Sequence, residues 1–168
     1  MDKIKDFISA EEHLQLKDWA YSMREHLQVN FRYRYFRVLT EMPKNKLVET
    51  IKRRVLEAYG LEDVPRIDGG LGSILSWHEE GGFVQPHTDK YEDNKHYRFN
   101  LILSLPKEGG IPIYNGKELE VEERMLLPYD AGEYLHSSTK TVGDTPRIML
   151  SFGWLFDKEV KLKFKQGL

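Results

Sequence analysis

A mostly β domain supported by an N-terminal helical layer is the fold class this sequence predicts. Three observations point to it. Up to about residue 60 apolar residues recur mainly at helical intervals. Beyond that point the chain breaks into about eight or nine short apolar stretches divided by turn residues, the pattern of a sandwich or barrel. The 168 residues also include nine Tyr, eight Phe and three Trp, flat side chains that favour a pleated surface.

The elements follow in order. Ser9 and Glu12 have capping-box spacing, and Leu16, Trp19, Ala20, Met23 and Leu27 share one face, so a helix is expected from about Ser9 to Gln28. Phe31, Tyr33 and Tyr35 alternate with Arg32 and Arg34, as in a strand. A second helix follows Pro43, with Leu47, Val48, Ile51, Val55 and Leu56 on one face and Gly60 as its C-cap. The short strands are expected at Gly72–Trp77, Gly82–Gln85, Tyr97–Leu105, Ile111–Tyr114, Lys117–Val121, Met125–Leu127, Glu133–Leu135, Arg147–Leu155 and Val160–Phe164. Asn115-Gly116 between two of them marks a tight hairpin. No repeat, low-complexity tract or linker interrupts the chain. It is expected to form one domain over 1–168, with helical support to about 60 and a β body over about 66–168.

Composition narrows the chemistry. With 25 basic against 27 acidic side chains and a net charge of −2, a general nucleic-acid binder is not indicated. The absence of cysteine removes disulfides, thiolate metal sites and a cysteine nucleophile, so any metal must be held by histidine and carboxylate. No apolar run is long enough to span a membrane and the N-terminus has no signal-peptide core, so a cytoplasmic location is expected.

Two histidines and one aspartate meet that requirement. In an extended chain residues i and i+2 face the same way, so His87 and Asp89 can converge on one ion. His136 can supply the third ligand. Two histidines and a carboxylate form the facial set that leaves three positions open on Fe(II) for substrate and O2. Arg147 opens an apolar strand, a costly place for a guanidinium unless an anion meets it there. Each residue also has a plainer reading: a turn at His87-Thr88-Asp89, a half-buried histidine at 136, an ion pair of Arg147 with Asp144 or Glu133.

The order Gly81-Gly82-Phe83-Val84-Gln85-Pro86-His87-Thr88-Asp89, then Arg98-Phe99-Asn100-Leu101-Ile102-Leu103-Ser104-Leu105 with Gly109-Gly110, then Ala131-Gly132-Glu133-Tyr134-Leu135-His136, then Arg147 resembles the Fe(II)/2-oxoglutarate-dependent dioxygenases, specifically their prolyl-hydroxylase-like branch. The resemblance covers about Ser73 to Phe156, half the chain. It implies a double-stranded β-helix, a cupin-like jelly-roll on a helical layer, in keeping with the strand count. It also implies Fe(II) on His87, Asp89 and His136, and Arg147 on the distal carboxylate of 2-oxoglutarate. Many members carry Ser or Thr two residues after that arginine. Here that position is Met149, and Ser151 stands two further on. Arg98, Asn100 and Tyr97 are the candidates for the other end of the cosubstrate, and Trp77, His78 and His96 for substrate contact.

By the same resemblance the activity is a hydroxylation that consumes O2 and 2-oxoglutarate and releases succinate and CO2. Halogenating members replace the carboxylate ligand with a small residue, so Asp89 points to hydroxylation. A compact chain without a peptide-binding appendage favours a small molecule, such as an amino acid, or an amino-acid side chain. The alternatives are a cupin-like metal-binding module without 2-oxoglutarate turnover, and a nucleic-acid demethylase using the basic, aromatic stretch Arg32–Arg54 as its phosphate track. A membrane partner is not expected, and oligomeric state is left open.

Overall fold

The computed structural model describes residues 2–30 and 36–162. Helix α1 (Ala10–Ser22) begins with the expected capping box: the Glu12 amide donates to Ser9 Oγ, and the Ser9 amide donates to the Glu12 carboxylate. It stops well short of Gln28. A 3-10 turn (Arg24–His26) intervenes and delivers Leu27 to the core, so the helical spacing of Met23 and Leu27 survives without a continuous helix. Strands β1 (Gln28–Asn30) and β2 (Phe36–Leu39) then pair antiparallel; the expected strand Phe31–Tyr35 lies outside the described residues. Helix α2 (Lys46–Tyr59) is capped by Asn45 Oδ1, which accepts from Leu47 and Val48, and it ends at Gly60 in the left-handed region.

The remainder is β: β3 (Arg66–His78), β4 (Asn94–Ser104), β5 (Glu108–Gly109), β6 (Pro112–Tyr114), β7 (Lys117–Glu118), β8 (Leu126–Asp130), β9 (His136–Ser138), β10 (Thr141–Val142) and β11 (Arg147–Asp157). The large sheet runs β1-β2-β3-β11-β4-β8, antiparallel throughout. A three-stranded sheet β7-β6-β9 and the pair β10-β5 complete the double-stranded β-helix. Asn115 (φ 49°) and Gly116 (φ 78°) make the two-residue turn between β6 and β7 with positive φ twice, as the hairpin signal requires.

Three expected strands are something else. Residues 131–134 form a turn because the Asp130 carboxylate accepts from the amides of Gly132 and Glu133. Pairing starts only at His136. Gly82–Gln85 runs beside β9 and β10 through scattered bonds, such as the Ser138 amide to the Val84 carbonyl, without a ladder. Val160–Leu162 form no strand, and 163 and 164 lie outside the described residues.

Alternation divides the large sheet into two working faces. Leu75 and Trp77 of β3, Tyr97, Phe99, Leu101 and Leu103 of β4, and Ile148, Leu150, Phe152 and Trp154 of β11 face the helices. There they pack with Leu16 and Ala20 of α1 and Val48, Ile51 and Val55 of α2. Each large side chain so buried contributes on the order of 1.5–3 kcal/mol. The intervening residues face the small sheets, where Ile102, Leu127, Tyr129 and Met149 join Tyr114 in a second cluster. On α2 three of the four basic side chains are engaged: Lys52 with Asp68, Arg53 with Glu57, and Arg54 with Glu12. Among the described residues no helix is long and apolar enough to cross a membrane.

Candidate functional site

The segment carrying His87 and Asp89 is pinned to β9 through its backbone. The His87 amide donates to the His136 carbonyl (3.1 Å), and the His136 amide donates to the His87 carbonyl (2.9 Å). This places the two imidazoles side by side, ring centroids 4.2 Å apart. Each ring is then oriented by its own chain. His87 Nδ1 donates to the Gln85 carbonyl (2.7 Å), and His136 Nδ1 donates to the Tyr134 carbonyl (2.9 Å). Because a carbonyl only accepts, both Nδ1 atoms carry the proton and both Nε2 atoms present lone pairs.

Between those lone pairs lies the Asp89 carboxylate. Oδ1 is 3.5 Å from His87 Nε2 and Oδ2 is 3.6 Å from His136 Nε2. The Asp89 backbone is held at both ends: its amide donates to the Ala131 carbonyl (2.7 Å), and its carbonyl accepts from His96 Nδ1 (3.1 Å). The three ligand atoms lie within 4.8 Å of one another. Three electron-pair donors so directed fit a divalent cation, and the donor set of two imidazoles and one carboxylate suits Fe(II) with open positions.

The space beside this cluster is a cavity of ≈ 540 Å³, counted out to its mouth, between the large sheet and β6 and β9. Arg147 lies in its wall, 2% exposed. Nη1 sits 3.4 Å from both ring nitrogens of His78, its register partner on β3. The aliphatic stem passes Gly110, where a Cβ would come within 3.1 Å of Arg147 Cδ; the φ of +65° also favours glycine there. Neither Asp144 nor Glu133 pairs with Arg147, the latter being engaged by Lys95. Burial pulls the guanidinium down to about 10, the phenols of Tyr114 and Tyr129 pulling it part of the way back, so it stays charged at neutral pH. Its Nε is buried with no hydrogen-bond partner among the described residues. A buried, charged fork with an unsatisfied donor is what a carboxylate fits.

Tyr114 completes this end. Burial holds its phenol far above the usual range, so it is a hydrogen-bond donor, and Asn100 Nδ2 donates to its oxygen (3.5 Å). Its ring packs on Tyr129 at 4.6 Å, and Tyr129 touches His136 at 5.0 Å.

Of the residues singled out in the sequence, His87, Asp89 and His136 form the cluster, and His78, Arg98, Asn100 and Arg147 line the cavity with His87 and His136. His96 sits behind Asp89; burial, with Arg98 nearby, lowers it to about 4, so it is neutral. Trp77 and Tyr97 face the helical side, where Trp77 meets the ring of Tyr21 (4.8 Å) and the Tyr97 hydroxyl donates to the Val160 carbonyl (3.1 Å). Alternation puts them out of phase with the cavity residues next to them. Tyr114, Tyr129 and Met149 line the cavity without having been singled out as site residues, and so does Ser151. A signal existed for Ser151, since i and i+4 share a face of a strand, and Arg147 fixes which face that is.

No protein-family model and no curated protein matches the sequence. Solved structures do. The viral collagen prolyl hydroxylase of Paramecium bursaria Chlorella virus-1, in its 2OG complex, superposes with a TM-score of 0.70 at 16% identity, over 92% of this chain and 94% of that one. A Pseudomonas putida prolyl-4-hydroxylase gives 0.67 at 15% identity, over 94% and 92%. The non-heme alpha-ketoglutarate-dependent epimerase SnoN from nogalamycin biosynthesis gives 0.73 at 14% identity, over 92% and 76%. The fold is therefore that of the Fe(II)/2-oxoglutarate oxygenases.

Proposed function

We propose that the chain is an Fe(II)- and 2-oxoglutarate-dependent dioxygenase that hydroxylates a small molecule such as an amino acid, or an amino-acid side chain, consuming O2 and releasing succinate and CO2. The observation that carries the proposal is one cavity lined both by the two histidines of the His87–Asp89–His136 cluster and by a buried guanidinium with an unsatisfied donor.

Iron, when bound, supplies the oxidising chemistry. His87 and His136 present Nε2 to it because their Nδ1 protons are committed to carbonyls, and Asp89 offsets one of its charges. Arg147 takes the distal carboxylate of 2-oxoglutarate through Nε and an Nη. Tyr114, steadied by Asn100, donates its hydroxyl proton to the same end. Ile74, Val84 and Met149 give the cavity an apolar wall that limits water around the reacting centre.

Succinate formation from 2-oxoglutarate by the iron-loaded protein in air tests the proposal, together with divalent-metal binding read by calorimetry. Succinate that depends on iron and is lost in His87→Ala supports it. Metal binding without succinate for any substrate supports the cupin-like module instead. A prolyl residue in a peptide is the competing substrate, favoured because the Paramecium bursaria Chlorella virus-1 and Pseudomonas putida proteins of the same fold are prolyl hydroxylases.

A further inference from the structure

A second hollow lies beside the segment that carries Asp89. It encloses ≈ 570 Å³, counted out to its mouth, and shares no lining residue with the cavity described above. Three stretches of chain meet around it: the residues after Asp89, the start of β4 and the turn after β8. Ala131 ties them together, its carbonyl accepting from the Asp89 amide (2.7 Å) and its amide donating to the His96 carbonyl (2.8 Å). Two buried acceptors line the hollow. Asp130 is 4% exposed; the Gly132 and Glu133 amides both donate to its Oδ1, and Oδ2 has no hydrogen bond among the described residues. His96 is 2% exposed; its Nδ1 donates to the Asp89 carbonyl, and its Nε2 is buried without a hydrogen-bond partner. Gly132 leaves bare space between the two. A Cβ there would lie 3.4 Å from Asp130 Oδ1 and 3.8 Å from both His96 Cβ and the Asp89 carbonyl oxygen.

We propose that this hollow binds a primary ammonium compound, whose N–H groups meet Asp130 Oδ2 and His96 Nε2. The site stands or falls independently of the oxygenase reading. What it lacks is a donor and a positive charge. Asp130 forms no ion pair among the described residues. Lys95, whose charge reaches it, is engaged by Glu133 instead. Of the other lysines around the hollow, Lys158 pairs with Asp93 and Lys90 is exposed. A carboxylate so enclosed is costly to leave without a cation. Burial accordingly pushes Asp130 above the ordinary carboxylate range, with Lys95 and the Gly132 amide drawing it part of the way back. A neutral imidazole that gives its Nδ1 proton to a carbonyl offers only a lone pair at Nε2. An ammonium carries three donors and no acceptor, so one group can serve both atoms and balance the charge. An alcohol brings a donor without the charge, a quaternary amine the charge without a donor, and a carboxylate neither.

The test uses the full chain with Mn2+ at pH 7, where a primary amine is protonated, read by titration calorimetry and by 15N NMR of the histidine rings. The probes are benzylammonium, benzyl alcohol and benzyltrimethylammonium, with a capped Gly-Lys-Gly peptide to separate a free amine from a lysine side chain as the source of the ammonium. The expected result is a primary ammonium, free or on the peptide, binding tenfold or more tighter than both controls and moving the Nε2 resonance of His96. Asp130→Asn should abolish that preference. Gly132→Ala should reduce it by filling the space between the acceptors, in a backbone conformation open to alanine and at ordinary contact distances. Equal binding of all the probes overturns the proposal. So does a preference for ammonium that survives undiminished in both variants, or one that leaves the His96 resonance in place. If Asp130→Asn does not fold, Gly132→Ala and the wild-type resonance decide.

Discussion

Replacing Arg147 with methionine separates stability from function, because the two should move in opposite directions. The guanidinium is fully buried, and its stem packs against Gly110, a contact that methionine largely preserves. Holding the charge at about 10 instead of the much more basic ordinary value costs roughly 3 kcal/mol, a tenfold change in proton affinity being about 1.4 kcal/mol. The folded value lies below the unfolded one. The cost is therefore present in full below about pH 10 and fades only as pH climbs toward the unfolded value, so a melt at pH 7 reads all of it. For a chain of this length each kcal/mol is worth about 2–4 °C. Without ligand, Arg147→Met should therefore melt no lower than wild type and as much as about 6–12 °C higher. With 2-oxoglutarate at 100 times its dissociation constant, wild type should gain about 2.7 kcal/mol and the variant nothing. Differential scanning calorimetry with and without 2-oxoglutarate measures both. A variant that unfolds well below wild type yet keeps the ligand-induced gain would show that Arg147 serves the fold, and the argument from its burial would be refuted.

Three other substitutions probe separate parts of the structure. Asp89→Ala should abolish the rise in melting temperature that Mn2+ gives wild type, because two imidazoles alone leave the cation's charge unbalanced; an undiminished rise would place the metal elsewhere. Gly153→Ala should cost only about 1 kcal/mol of stability, since the displaced group is the mobile end of Arg98. Chemical denaturation measures the cost, and a much larger loss would show that the Arg98 head, hydrogen-bonded to Ser151, does not give way. Glu12 is held below the usual carboxylate range chiefly by its hydrogen bonds from Arg54, opposed by partial burial and aided by the Ser9 amide. Its contribution is present above the unfolded value near 4.3 and is lost as pH falls through the folded one. Glu12→Gln should therefore cost about 1 kcal/mol at pH 7, with the difference closing in chemical denaturation below about pH 4; a gap that persists there would mean packing, not charge.

Local signals were legible where one residue type has one stereochemical use. Asn45, Gly60 and the Asn115-Gly116 pair mark their cap or turn directly. The grouping of His87, Asp89 and His136 was legible because an extended chain turns residues i and i+2 to one side, and His136 was the partner nominated for them. Signals failed where a distant contact set the outcome. The end of α1 depends on Leu27 reaching a core assembled by β4 and β11, and the turn after β8 depends on Asp130 capping amides ahead of it. The cavity tyrosines needed the packing of β6 on β8, which no local pattern encodes. Tyr97 and Trp77 are a different case. In His96-Tyr97-Arg98-Phe99-Asn100 the polar residues share one parity, and so do Ser76 and His78. Phase alone therefore separates Tyr97 from Arg98 and Trp77 from His78.

Strand β11 sits between β3 and β4, so it has neighbours on both edges, and its odd-numbered residues from 147 to 153 serve the cavity while its even-numbered ones fill the core. Inserting or deleting a single residue near its start would carry Arg147, Ser151 and Gly153 over to the oily side and turn Leu150 and Phe152 into the chamber. Evolution can exchange letters along this strand but cannot readily change its reading frame. Drift in chain length should collect instead in the exposed connections, such as residues 143–145 just before it.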